Sequence, residues 1–567
     1  MATVVDTLDV MRHEAGASIP GRLERPSRAT LVALAVILAT GFLLKLVPIV
    51  ALAMSPPFSL GDPDGYAYSG AYVADHPGQW LWLRDVVQFG HYLKAPLYPG
   101  LMCVIALVWR SGFPLNAAVF QILISVASGL AMFRIGQRLH SSRAGLIATA
   151  LYMFFLPNFA SPMFGQEALF IPLSLAAMAL HLEYAATGRQ PQAFAVVGVL
   201  YGLTALTRSL PLYYLPPVAA LHVLWATNRR QARRQAAALL IGLFLTILPY
   251  SFFVSSRWSH WVFVDTQGVR AVVETYSDHP DSHTPGMVES LGMVAKAFAN
   301  APVKQTQERI SRARSFFYLK GGQWLQVDAP RLATAAGAWT LKALVHLFYD
   351  VPMAAILLLS PIGFALARGR REATYLFLWP LVSLALMSAF LWSGGRYTAS
   401  FLPQLMLGAS VVLAGGWRRP NRGAMLLAVM CAAIVAIPVG MSVPLTIWGH
   451  PDYGIRFKAV VVDGPQSGQM KEEAGFSVFT DSGRVELALT PDRHLPSAGP
   501  GTWIDIRVDG VRQPLVRWAP GRTERVGIST PARLVFIEVR VVSGARRSTD
   551  VAGSTEITVA VGRAFRG

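Results

Sequence analysis

Charge is what this sequence has least of. Of its 567 residues, 14% are Asp, Glu, Lys or Arg, against about 25% in an average soluble domain. A chain this long with so few charges cannot clothe its whole surface for water, so much of that surface faces lipid. Acidic residues are the scarcer sign: 32 against 50 basic, a formal net charge of +18. No Walker loop and no RNA- or DNA-binding motif accompanies that excess, which argues against a nucleic-acid partner. The basic residues instead fall in short clusters between apolar stretches, the pattern of cytoplasmic loops facing anionic headgroups. Cysteine is nearly absent as well. Cys103 and Cys431 both sit in apolar runs, as small core residues rather than a disulfide or a metal site. There is no internal repeat and no low-complexity segment.

What is there is apolar. Hydrophobic residues make up 53% of the chain, and the mean hydropathy is +0.42. The first long run, 29–50, follows a leader carrying Arg12, Arg22, Arg25 and Arg28, which orients the N-terminus toward the cytoplasm. A cleaved signal peptide is the rival reading, because Ala51-Leu52-Ala53 resembles a cleavage site. The run is about 20 residues long, enough to span a bilayer and longer than an ordinary signal core. Further spans are expected near 115–137, 143–158, 163–184, 193–208, 210–227, 236–254, 344–366, 373–392, 398–416 and 423–446.

The connections alternate in charge. Arg134, Arg138 and Arg143 mark one basic connection, Arg189 the next, and Arg229, Arg230, Arg233 and Arg234 a third; Arg368, Arg370 and Arg371, then Arg418, Arg419 and Arg422, mark the last two. One parity, with eleven helices, puts all of them in the cytoplasm. It requires that Pro96 to Trp109, apolar but only about 14 residues long, does not cross. That segment is expected as a juxtamembrane or re-entrant helix on the outer face. The expected organisation is therefore a polytopic α-helical membrane protein: a cytoplasmic leader 1–28, a transmembrane domain 29–446 with external loops 51–114 and 255–343, and an extracytoplasmic tail 447–567.

The tail changes character. Short alternating stretches at Val485–Thr490, Trp503–Val508, Leu534–Val542 and Ile557–Val561, with Asp509-Gly510 as a tight-turn signal, predict a small antiparallel β-sandwich-like domain. The loop 255–343 is too long for a bare connection. Met287, Val288, Leu291, Val294 and Phe298 recur there at helical spacing with basic residues beyond, suiting a helix on the membrane surface.

Several polar elements fall on the outer face under that topology. The first loop holds Gly61-Asp62-Pro63-Asp64-Gly65-Tyr66. Asp, Pro and Gly are ordinary turn residues, but a carboxylate held at the membrane face can also act as a general base on an attacking hydroxyl. The same loop gives His91-Tyr92-Leu93-Lys94-Ala95-Pro96-Leu97-Tyr98-Pro99. Its lysine could neutralise a lipid phosphate, or simply snorkel. Glu167 is expected at the outer end of the fourth span, where acids tend to be functional, although a helix N-terminus favours an acid on dipole grounds alone. Arg208 ends the fifth span, and Arg396-Tyr397 lies in a short external turn. An arginine can hold a phosphate bidentately and stabilise a departing phosphate oxygen.

With these elements in order, the chain resembles the GT-C superfamily of glycosyltransferases. It looks most like the family of protein O-mannosyltransferases and their relatives, the aminoarabinose transferases of lipid A. The resemblance covers about 29–416. It rests on Asp62 to Tyr66, the run Lys94 to Pro99, Glu167 to Phe170, Gly202 to Arg208, and Arg396 with Tyr397. The resemblance implies a GT-C-like membrane domain that moves a sugar from a polyprenyl-phosphate donor to an acceptor hydroxyl by an inverting displacement. It implies Asp62 as catalytic base on its spacing to Tyr66. The family's usual pattern places an acid directly after that base, whereas here Pro63 intervenes and Asp64 follows, so either aspartate can hold the role. Glu167 matches the family's second-loop acid, and Lys94 its donor-phosphate lysine. Arg208 and Arg396 then join Lys94 around the phosphate, with Tyr66, His91, Tyr98 and Tyr397 lining the substrate. The β tail has no counterpart in the lipid A transferases.

No cofactor is required by this reading. A divalent cation shared by Asp62, Asp64 and Glu167 is the variant to set beside it, although the loop lacks recognisable metal-ligand spacing. The expected partners are a polyprenyl-phosphate-linked sugar, a glycan, lipid or protein acceptor, and membrane lipids. Two other functions compete: a flippase or transporter for the lipid carrier, with Lys45, His181, Glu183 and His222 as its polar candidates, and an oligosaccharide ligase. A Gly-, Ala- and Arg-rich composition favours a bacterial inner membrane.

Overall fold

The computed structural model describes residues 26–53, 88–89, 92–109, 113–155, 165–256, 261–265, 287–317, 346–390, 400–416 and 422–447, together with 473–479, 484–491, 502–508, 511–513, 516–517, 524–529, 534–543 and 555–560. The chain divides into two compact units. One comprises Met1–Tyr318 with Met353–Pro438, the other Leu319–Pro352 with Val439–Gly567.

Helices occupy all eleven expected stretches. They are α1 (Arg28–Ala53), α3 (Phe113–Leu139), α4 (Ser142–Phe154), α5 (Glu167–Thr187), α6 (Pro191–Ala205), α7 (Leu210–Leu224), α8 (Arg229–Ser255), α11 (Val351–Leu366, after a π turn at His346–Asp350), α12 (Arg370–Phe390), α13 (Leu402–Ala414) and α14 (Arg422–Ile447). A short helix, α2 (Leu97–Val108), follows the two-residue strands β1 (Gln88–Phe89) and β2 (Tyr92–Leu93). The amphipathic α9 (Met287–Asn300) and α10 (Pro302–Ser315) lie between α8 and α11. Among the described residues, six helices are long and apolar enough to cross a membrane by themselves. The protein is an integral membrane protein.

Local signals set the ends. Ser27, Ser141 and Asn228 each accept a hydrogen bond from the backbone N–H three residues on, capping α1, α4 and α8. Gly188 closes α5 in the left-handed conformation, φ 63°, which glycine adopts without steric cost. Close packing needs glycine at a different place. A methyl on Gly198 of α6 would strike the carbonyl oxygen of Leu239, and one on Gly242 of α8 that of Ala195. The two helices therefore touch backbone to backbone.

Hydrogen bonds gather the basic connections at one end of the bundle. The Gly369 N–H donates to Leu139 O (3.0 Å), and His140 Nε2 bonds Gly415 O (2.8 Å). Arg368 donates to Gly416 O (3.0 Å). Arg138 Nε donates to Glu183 Oε2 (2.9 Å), and Gln235 donates to the carbonyl of Arg189 (2.6 Å). These contacts join four of the five clusters that the charge pattern had grouped together; α14 starts at the fifth. We call this end the basic face.

Helix α2 forms from the short apolar segment. Its 12 residues reach about 18 Å, short of a hydrocarbon core of about 30 Å. Leu97 N–H donates to Leu206 O (2.9 Å) at the far end of α6. Tyr98, Met102, Ile105 and Ala106 pack on Phe113, Ala117, Ala118 and Ile122 of α3 and on Ala168 of α5. All of these partners lie at the end opposite the basic face.

In the second unit two antiparallel sheets form from β3 (Glu473–Phe479), β4 (Arg484–Pro491), β5 (Thr502–Val508), β6 (Val511–Arg512), β7 (Val516–Arg517), β8 (Glu524–Ser529), β9 (Leu534–Ser543) and β10 (Thr555–Ala560). One runs β10-β4-β8, the other β3-β9-β5-β6 with β7 also on β5. β5 and β6 pair on either side of Asp509-Gly510, with Val508 opposite Val511. Ile506, in the middle of β5, is fully buried.

Candidate functional site

The site assembles at the end opposite the basic face, where helix starts and turns come together. The turn Gly165-Gln166 leads into α5, placing Glu167 in its first turn. There the helix dipole favours a carboxylate. Helix α6 ends at Ala205, and α7 begins at Leu210, so Arg208 occupies the tight turn between them. The tether from Leu97 to Leu206 brings the segment carrying Lys94 to this same turn. Ser400 immediately precedes α13.

The Arg208 turn and the residues ahead of α13 are packed among these helix ends, and charge shielded from solvent must be paired to persist.

It is paired. Arg208 Nη1 lies 3.3 Å from Glu167 Oε1, with side chains 14% and 15% exposed. The same Nη1 donates to Ser400 Oγ. The guanidinium carbon stands 5.8 Å from the ring centroid of Phe170, one turn along α5 from Glu167, in cation–π range. Phe170 in turn packs on Trp379 (centroids 5.9 Å), and Trp379 on Tyr214 (4.6 Å, edge to face). Trp379 Nε1–H donates to the carbonyl oxygen of Ser400 (3.1 Å). The result is a half-buried ion pair on an aromatic bed. Part of the guanidinium's five-donor fork is committed, and a small part of its surface is open.

Lys94 is 7% exposed, just ahead of α2. Tyr98 is a correction. It was expected against substrate, but it is fully buried in the packing between α2 and α3, and its hydroxyl donates to Gln121 Oε1 (2.9 Å). A Pro-bracketed aromatic looks the same in sequence whether it meets substrate or core, and here the core takes it. Asp62, Asp64, Tyr66, His91, Arg396 and Tyr397 lie outside the described residues. Among the described residues no group of three His, Cys, Asp or Glu side chains could hold a metal ion. Sequence reasoning missed Ser400 and Trp379. Trp379 is hidden in an apolar span, and the only pointer to Ser400 was its place four residues after Arg396.

The residues noted as marks of a transport path have other company. Lys45 is fully buried, donating to Ser125 Oγ (3.2 Å) beside the Tyr152 ring. Glu183 pairs with Arg138 on the basic face. His181 stacks on Tyr375 (5.6 Å), and His222 bonds Gln235 (2.9 Å).

Residues 94–253 match the family described as dolichyl-phosphate-mannose-protein mannosyltransferase. The match takes in Lys94, Glu167 and Arg208 and is narrower than the 29–416 over which the motifs suggested a resemblance. No curated protein matches the sequence. Two solved structures share a distant likeness. One is the archaeal oligosaccharyltransferase AglB from Archaeoglobus fulgidus, in complex with an inhibitory peptide and a dolichol-phosphate: 13% identity, 73% of this chain and 56% of that one covered, TM-score 0.43. The other is ArnT from Cupriavidus metallidurans, bound to undecaprenyl phosphate: 14% identity, 74% of this chain and 66% of that one, TM-score 0.41. This chain therefore spans only a little over half the length of the first. The family match supports the resemblance to GT-C glycosyltransferases, and it rests on the segment that builds the Glu167–Arg208 site.

Proposed function

We propose that this membrane glycosyltransferase of the GT-C type moves one sugar from a polyprenyl-phosphate carrier to an acceptor hydroxyl on the face opposite its basic loops. By the positive-inside rule that face is extracytoplasmic, and the tail from about 447 lies on the same side, in the setting of a bacterial inner membrane. The observation that carries the reading is the largely shielded Arg208. It is fixed to Glu167 and Ser400, and the Lys94 segment is tethered to the same turn. A carrier's sugar–phosphate bond brought to that turn would meet a guanidinium.

The proposed step is a single displacement. Asp62 or Asp64 takes the proton of the acceptor hydroxyl. The hydroxyl oxygen bonds the anomeric carbon as the bond from that carbon to the phosphate oxygen breaks, with inversion. The electron pair leaves with the phosphate, and the carrier departs as a polyprenyl monophosphate carrying one more negative charge. Lys94, Arg208 and Arg396 stabilise that charge as it develops, which is where fixed cations lower a barrier most. Glu167, paired with Arg208, orients the acceptor. Acceptors of the glycan, lipid or protein kind all present the required hydroxyl.

Transfer by the purified chain from a labelled polyprenyl-phosphate sugar, compared among wild type, Asp62→Asn and Asp64→Asn, tests the assignment. One variant should lose about 10²- to 10⁴-fold in rate while both insert and fold normally. Full activity in both would sink the proposed base.

A further inference from the structure

The family match ends at residue 253, yet one group that confines Arg208 lies far beyond it. We propose that Ser400 and Trp379 form a positioning clamp that sets the Arg208 guanidinium for the phosphate of the lipid-linked donor. The inference rests on the function proposed above and adds two residues to it that neither the motifs nor the matched segment contains.

Consider what Arg208 needs. An arginine on a short turn has four side-chain torsions, and without restraint its fork would sample many directions. A phosphate contact made by a wandering guanidinium must first bear the cost of ordering it, on the order of 2 kcal/mol for a long charged side chain. Three neighbours remove that freedom. Glu167 fixes one nitrogen through charge, Phe170 lies under the guanidinium, and the Ser400 hydroxyl accepts from Nη1.

Ser400 itself is held. It is 1% exposed, and its backbone carbonyl accepts from the indole N–H of Trp379. Trp379 is fully buried between Phe170 and Tyr214, and the Tyr214 hydroxyl donates to Tyr375 O (3.0 Å) one turn back along α12. Trp379 thus touches the site twice, once through its ring beneath Phe170 and once through its N–H on Ser400. Five helices, α5, α6, α7, α12 and α13, meet at one guanidinium by way of these contacts. A structural ion pair would need only Glu167. The added hydroxyl, anchored from behind by an indole, restricts direction as well as charge, as preorganised phosphate recognition requires.

The test uses the full chain in detergent, with a polyprenyl monophosphate as probe and the matching polyprenyl alcohol as control. Wild type should prefer the phosphate, and Arg208→Ala should lose that preference. Ser400→Ala should weaken phosphate binding about tenfold, the effect of one hydrogen bond to a charged group, with alcohol binding unchanged. Ser400→Thr, which keeps the hydroxyl, should restore it. Trp379→Phe keeps a ring but loses the indole N–H, and should fall between wild type and Ser400→Ala. In transfer assays the Ser400→Ala loss should appear in the KM for donor more than in kcat. If wild type shows no preference for phosphate, the site reading fails and the clamp with it. If Arg208→Ala loses the preference while Ser400→Ala keeps it, or if Thr fails to rescue Ala, the clamp alone is overturned.

Discussion

Arg208 and Glu167 face each other at 3.3 Å across the ends of two different helices, both largely shielded from solvent. Glu167 starts α5 and Arg208 lies in the turn just after α6, so the pair exists because the two helices run antiparallel and end at the same level. It also gives Arg208 a resident anion. A donor phosphate has to share the guanidinium with Glu167 or draw it away.

Removing the guanidinium should harm turnover, and it takes this partner from Glu167 at some cost in stability. Arg208→Ala is expected to lower kcat/KM about 10²- to 10³-fold, the usual effect of losing one fixed donor to a developing oxyanion. Arg208→Lys should recover only part of it, since an ammonium lacks the planar fork. Glu167→Gln should tighten binding of the monophosphate product while lowering the transfer rate, because it frees Arg208 and removes the acid proposed to orient the acceptor. Kinetics with labelled donor and product inhibition separate the two effects.

The backbone contact of α6 with α8 should be the least tolerant place near the site. Gly198→Val puts branched carbon where the Leu239 carbonyl stands. Overpacking of this kind costs about 1–3 kcal/mol or more. A clear fall in thermal unfolding temperature in detergent is expected, along with loss of phosphate binding as the Arg208 turn shifts. Gly188→Asn, at the left-handed end of α5 with open space around it, should cost far less.

The basic face carries a pH dependence. Burial holds His140 below the usual histidine range, and Arg368 pushes the same way, against the raising effect of its bond to Gly415. The neutral ring donates Nε2–H to that carbonyl, and Nδ1 is buried with no partner among the described residues. The folded state thus resists a proton that the unfolded chain takes up near pH 6.5. The sign follows: stability is full above about pH 6.5 and falls as pH drops below it. Thermal unfolding between pH 7.5 and 5.5 should show the fall, and His140→Gln should flatten it.

A metal requirement has a direct check. If Glu167 serves through Arg208 and the acceptor, transfer by the purified chain should persist in excess EDTA. A loss in EDTA that Mg²⁺ or Mn²⁺ restores would instead give the carboxylates a shared cation.

The helices were legible because lipid imposes a simple rule: an apolar run of sufficient length, flanked by charge of the right sign. The expected placement of Pro96 to Trp109 rests on length and parity alone, and α2 packs at the site end of the bundle. Glu167 could be put at a helix start from the polar turn before it. The clamp could not be read this way. Ser400 and Trp379 are ordinary in local context and gain meaning only when α12 and α13 pack beside α5. Tyr98 failed for the converse reason, since its local pattern was suggestive and its packing is not. In the tail, β3 and β8 escaped notice because Gly475 and Gly527 interrupt the alternation that marks β4, β5 and β9.

The most direct test is reconstitution of the purified chain in sealed liposomes with a polyprenyl-phosphate sugar labelled in both sugar and lipid, and a hydroxyl acceptor outside. The account predicts that donor is consumed, with one polyprenyl monophosphate formed per sugar transferred, and that Arg208→Ala slows this about 10²- to 10³-fold without changing how the chain inserts. Movement of intact donor between leaflets with no release of monophosphate would contradict it.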